Sequence, residues 1–417
     1  MLPRTLTSTL VLAAIGIAQD SRLHGAEHAR RGLPNDPAAF APYHADSDHP
    51  ANRLFRLTWL RRLQPAEVAA PAFGTAMEWT SGWVHRKRVG TATDTHWFGG
   101  DGRLLPLEFL DASETKELRA LLTALRDSKF DSPTLQVLLQ HDLLRIAERV
   151  HDVGRDGDLL PELLATVRAL ALPAHELDRL PDPLATATTA EPKLAAALPK
   201  ALGGTDTQLR EVLRKSTRLF DAGKSLLWSR VFLAHPNGEP ALAALLPAAR
   251  PDQKEGPEVP IGMRAVLVQG IVALDRDGKP RSTPLVFDVR TQRLANRDGL
   301  SADNATFTHD GIDFGIWQLQ REGVRRGESG ALFRRIEADD HDLFRDYGTA
   351  KHTTYRGQCA LCHRVTDTPE PHLGGFPVLR PHALATFATT GAERFRLAEE
   401  QVQKLLDKFA TPAPASR

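Results

Sequence analysis

The chain's two cysteines lie in one short window, Tyr355-Arg-Gly-Gln-Cys359-Ala-Leu-Cys362-His363-Arg364. Two thiols two residues apart, followed at once by an imidazole, can do one of four things. They can form a structural zinc site, but such a site needs four ligands, commonly a second C-x-x-C or a close His pair. His372 and His382 have the wrong spacing for that pair. They can act as a redox dithiol, which calls for a strand before the motif and a helix after it. The residues before Cys359 read as helix instead. They can close a disulfide, although a loop this small adds little stability. Or each thiol can add to one vinyl group of a single porphyrin, leaving the adjacent histidine to ligate the iron. The spacing favours this last chemistry, with the other three still open.

The N-terminus bears on the same choice. Arg4 precedes a short apolar run from Leu6 to Ala18, ending in Gly16-Ile17-Ala18 before the polar Gln19-Asp20. That is the layout of an export signal over residues 1–18, too short for a membrane span of about 20 residues. No later stretch is long and apolar enough to span. The expected location is therefore the periplasm or the exterior, with no transmembrane segment beyond the signal. In that setting disulfides are common staples, yet no cysteine lies outside 359–362, which excludes a fold-wide framework. Lys plus Arg (53) balance Asp plus Glu (52), so nothing in the charge favours a nucleic-acid partner.

The elements that must position the motif follow from apolar spacing. Residues 19–50 form an irregular lead-in, and residues 51–250 a mainly helical domain. Asp111-Ala-Ser-Glu114 has capping-box spacing ahead of Leu118, Leu121, Leu122 and Leu125. Leu135, Leu138, Leu139, Leu143, Ile146 and Val150 make a second helical stripe, best read as core. Leu159–Leu172 and Leu209–Phe220 extend the helices, with a loop or broken helix over Pro181–Pro199. Leu226–Leu233 reads as a strand. In a β-rich region over 261–320, Met263–Leu274 and Pro284–Val289 flank the turn Asp275-Arg-Asp-Gly278 as a hairpin, and Ile312, Phe314 and Ile316 alternate in a further strand. Residues 330–410 read as helical around the cysteines, with a loop through His372 and His382 and a last helix to Phe409. Residues 411–417 form a disordered tail. The fold class expected is α+β, mainly helical, with a helical N-terminal region, a small antiparallel β region and a C-terminal helical segment.

From Tyr355 to His363, and loosely in the flanking helices, the chain resembles the c-type cytochromes. An aromatic residue four before the first cysteine is similar to the class I pattern. The resemblance implies one covalent haem c, with Cys359 and Cys362 as thioether sites and His363 as proximal iron ligand. It also implies single-electron transfer with a redox partner protein. The chain departs from the family in having no methionine after Met263 to serve as distal ligand. His382 or His372 could take that place, His352 less readily, and Met77 or Met263 only from another part of the chain. An open distal side would instead suit a haem enzyme acting on peroxide or gases, and a C-x-x-C disulfide would suit a non-haem binding protein. The whole chain also resembles large secreted bacterial proteins of the planctomycete type with one late C-x-x-C-H, through His49-Pro-Ala-Asn-Arg-Leu54 and the hairpin at 263–289. That likeness implies no known activity. The cluster Trp79, Trp83, His85, His96 and Trp97 reads as aromatic packing with surface histidines.

Overall fold

The computed structural model describes residues 41–59, 61–63, 96–98, 110–153, 158–214, 226–248, 259–295, 312–328, 332–336, 384–387 and 393–410. The first element, α1 (Pro50–Trp59), starts where His49-Pro50-Ala-Asn52 supplies a cap. His49 Nδ1 accepts from the Ala51 amide at 3.2 Å, and Pro50 occupies the first helical position, where its missing N–H costs nothing. Two three-residue strands follow, β1 (Arg61–Leu63) and β2 (His96–Phe98), paired antiparallel.

Helix α2 (Ala112–Arg126) carries the expected capping box. The Asp111 carboxylate accepts from the amides of Ser113 and Glu114, and Glu114 Oε2 accepts from the Asp111 amide at 3.0 Å. Its four stripe leucines are buried, each worth about 1.5–3 kcal/mol against exposure. Helix α3 (Pro133–Val153) is the longest, and its stripe from Leu135 to Val150 is likewise buried. Helices α4 (Leu159–Ala169) and α5 (Ala174–Leu177) lead to the Pro181–Pro199 stretch. That stretch is a broken helix: α6 (Pro183–Ala190) and α7 (Pro192–Ala197) each begin on a proline, capped by Asp182 and Glu191.

The remaining strands form one antiparallel sheet of seven in the order β8-β7-β6-β5-β4-β3-β9. They are β3 (Arg210–Arg214), β4 (Leu227–Ala234), β5 (Arg264–Leu274), β6 (Pro280–Leu294), β7 (Ile312–Leu319), β8 (Phe333–Ile336) and β9 (Leu384–Phe387). Helix α8 (Glu239–Ala248) lies between β4 and β5 in the chain, α9 (Arg321–Arg326) follows β7, and α10 (Glu393–Phe409) ends the described residues. The β5–β6 hairpin turns at Asp275–Gly278, where Asp275 Oδ1 accepts from the amides of Asp277 and Lys279 and Gly278 takes a φ of 76°.

Two expectations need correction. Leu209–Phe220 was to be helical, but its described part is strand β3; Val212, nearly fully buried, sits in register between Val231 and Phe387. Pairing on both sides satisfies its backbone and overrides the local pattern. Within 330–410 the described residues include two strands, β8 and β9, besides helix α10; four-residue strands are too short to show an alternation.

The sheet has two unlike faces. On the first, Trp228, Phe232, Val266, Val268, Phe287, Val289 and Trp317 join one continuous core with the leucines of α2, α3 and α4 and with Val402, Leu405 and Phe409 of α10. Gln140 of α3 locks on to the end of β5, donating to the Leu274 carbonyl at 3.0 Å and accepting from the Leu274 amide at 2.8 Å. Glu399 of α10 accepts from the Ser282 amide at 2.8 Å. On the second face, Val212, Leu233, Met263 and Leu294 pack with Leu242 and Leu246 of α8 as a separate cluster. No described helix is long and apolar enough to cross a membrane.

Candidate functional site

Cys359, Cys362, His363, His372 and His382 lie outside the described residues, as do His352, Met77, His85, Trp79, Trp83 and residues 1–18. His96 and Trp97 are described only as the backbone of β2. Met263 is described and fully buried, packed with Val259, Leu242, Leu246 and Leu294. Its side chain is therefore a core element. Among the described residues, no group of three or more His, Cys, Asp or Glu side chains could hold a metal ion.

What the described residues do contain is a buried ionic cluster that no motif announced. Arg321, the first residue of α9, donates from Nη2 to Asp142 Oδ1 at 2.7 Å and from Nε to the Tyr43 hydroxyl at 3.0 Å. The Tyr43 hydroxyl donates to Asp142 Oδ2. The three side chains thus close a ring of hydrogen bonds, and their residues are 4%, 0% and 2% exposed for Arg321, Asp142 and Tyr43. The guanidinium carbon lies 5.9, 5.3 and 5.5 Å from the ring centroids of Tyr43, Phe55 and Phe287, a cage that favours a desolvated cation. Tyr43 is held from behind: its amide donates to Asn52 Oδ1 at 2.8 Å, and Asn52 Nδ2 donates to the carbonyls of His44 and Asp46.

Chemically the cluster is a clamp. Burial pushes the Asp142 carboxyl up from its ordinary value, against the pull of Arg321 and Tyr43, and pushes the Tyr43 phenol well above its own. Both carboxylate oxygens are engaged and all three residues are nearly fully buried, so the hydrogen bonds tie the lead-in, α3 and α9 together. Beside it His141 is 1% exposed, with neither ring nitrogen hydrogen-bonded and its ring 6.0 Å from that of Phe287. Burial first, then the positive charges of Arg145 and Arg321, hold this imidazole well below its ordinary pKa.

Comparison with family models, with curated proteins and with solved structures finds no match. The site must therefore be argued from its own residues.

One sequence signal could have found the clamp. Asp142 lies four residues after Leu138 and four before Ile146, on the apolar stripe of α3. A carboxylate in that position needs a cationic partner inside the core. Nothing in the pattern says that the partner is 179 residues away.

A second polar constellation crosses the other face of the sheet. Ser229, Gln269, Asp288, Gln318 and Arg334 occupy one register row from β4 to β8. Gln269, Asp288 and Gln318 are 2–3% exposed. Asp288 Oδ2 accepts from Arg290 Nε at 2.8 Å, while Asp288 Oδ1 and Gln269 Oε1 are buried without a donor.

Proposed function

We propose that this chain is an exported monohaem c-type cytochrome-like protein, with Cys359 and Cys362 as the thioether sites and His363 as proximal ligand, that exchanges single electrons with a redox partner protein. The observation carrying this reading is that the chain's whole thiol supply falls in one C-x-x-C-H window. The signal-like residues 1–18 support it, because thioether attachment of haem takes place outside the bacterial cytoplasmic membrane. The haem would supply the one-electron change at iron; the protein's contribution is the ligand set and the polarity around it. No methionine follows Met263, and Met263 itself is enclosed in the core of the second sheet face. His382 or His372 is the distal ligand of this reading, ahead of His352 and Met77.

The absorption spectrum of protein made with a haem-attachment system tests this. A Soret band that survives denaturation, with a low-spin six-coordinate spectrum in both redox states, is expected. Absence of the band overturns the haem assignment. A high-spin reduced spectrum that shifts with CO overturns electron transfer in favour of an open-sided haem enzyme. His382→Ala or His372→Ala should convert the iron to high spin; an unchanged spectrum in both removes these two ligands.

A further inference from the structure

We propose that the stacked pair His44 and His49 is an acid-sensitive latch, which keeps residues 43–52 closed over the start of α1 at neutral pH and lets them open when either ring takes up a proton.

The geometry requires both rings to be neutral. His44 Nδ1 accepts from the Asp46 amide at 3.0 Å, and His49 Nδ1 accepts from the Ala51 amide at 3.2 Å. A protonated imidazole carries a hydrogen on each nitrogen and can accept neither bond. The ring centroids lie 4.3 Å apart with the planes at 21°, a stack that two positive charges would push apart. His49 also immediately precedes α1, at the positive pole of the helix dipole, where a cation is repelled. Its carbonyl accepts from the amides of Asn52 and Arg53 at 2.9 and 3.1 Å, so a displaced His49 disturbs the first turn of the helix.

The surroundings leave the pair as the titrating part of the closure. Both histidines are half-buried, within reach of solvent protons. The remaining closure is made by Asn52, which does not titrate: its Oδ1 accepts from the amides of Tyr43 and His44, and its Nδ2 donates to the carbonyls of His44 and Asp46. Phe130 meets the His49 ring edge-on at 5.7 Å and brings no charge, and its neighbours Lys129 and Asp131 are exposed. On α1, Arg53 pairs with Glu117 of α2 at 2.5 Å. Burial first, then the charge of His44, hold the His49 imidazole below its ordinary pKa, while Asp46 pulls the other way. The open loop therefore binds a proton that the closed loop refuses, and opening gains as pH falls below about 6.5. Opening slackens Tyr43, the lead-in's member of the buried ring with Asp142 and Arg321. The latch is independent of the haem reading.

Hydrogen–deuterium exchange read by mass spectrometry on the full-length protein tests it, with rates corrected for the intrinsic effect of pH. From about pH 7 to about pH 5, protection of a peptide over 43–55 should fall at least about tenfold more than that of a peptide over 112–126 in α2, since one proton taken up is worth about tenfold per pH unit. Equal changes in the two peptides overturn the latch. The variant His44→Asn/His49→Asp keeps a side-chain oxygen acceptor at each position, in residues suited to turns and helix N-caps, and should hold the 43–55 protection constant over the same range. An acid response of 43–55 that persists in this variant overturns the latch, and its loss in His141→Leu would assign it to the core instead. The wild-type comparison decides by itself if the double variant does not fold.

Discussion

Replacing Asp142 by leucine takes the carboxylate away from a buried guanidinium. Arg321 would lose its 2.7 Å partner while remaining 4% exposed, with the Tyr43 hydroxyl as its one remaining ring member. Breaking a buried pair from one side costs about 3–5 kcal/mol. Arg321→Met should cost a similar amount, because it takes from the buried carboxylate the guanidinium that hydrogen-bonds it. The double variant Asp142→Leu/Arg321→Met removes both charges, and the methionine can still fill the space between Tyr43, Phe55 and Phe287. Its cost should fall well below the sum of the two singles, the remainder coming from the Tyr43 hydroxyl, at about 1–3 kcal/mol, and from Arg145, whose buried guanidinium loses the attraction of Asp142. Urea denaturation followed by far-UV circular dichroism measures all three. The reasoning is refuted if either single variant costs less than about 1 kcal/mol, or if the double costs the sum of the singles, since coupled partners cannot be additive.

Acid should destabilise the protein partly through His141. Its folded pKa lies well below the ordinary 6.5, so below that pH the unfolded chain binds a proton that the folded one refuses. Stability is then lost at about 1.4 kcal/mol per pH unit as pH falls below the ordinary value towards the folded one. His141→Leu should remove that component, and equal slopes of the urea midpoint from about pH 7.5 to about pH 5.5 in both proteins would count against it. Gly270→Ala should lower the melting temperature sharply, because a Cβ there would land on Trp228 Cζ2 and within 2.7 Å of the Leu285 carbonyl oxygen. Normal melting would mean that the Trp228 ring does not lie over β5. Met263→Leu should leave any haem spectrum unchanged, and a shift in spin state would reinstate Met263 as an axial ligand.

Where burial repeats along the chain, the sequence announces it. The stripes of α2 and α3, the capping box at Asp111 and the turn at Asp275 could all be read in advance because each is a local device with a local period. Strand β3 could not, since the reason Val212 is extended lies in Val231 and Phe387, neither of them a sequence neighbour. The clamp was hidden for the same reason: Tyr43 sits in a stretch without periodicity, and 278 residues separate it from Arg321. The C-x-x-C-H motif is the opposite case, complete in five residues and silent about which surface it rests on.

The place of β9 has a consequence for the order in which the chain can be finished. Strand β3 is an inner strand only because Leu384–Phe387 closes it from outside. Until those residues have left the ribosome, β3 presents an open row of amides and carbonyls to any neighbouring chain. The long-range closure of β3 thus waits on a strand 170 residues further along the chain, and in the interval that edge is open to pairing with a neighbouring chain. A chain cut short after the cysteines would never close it.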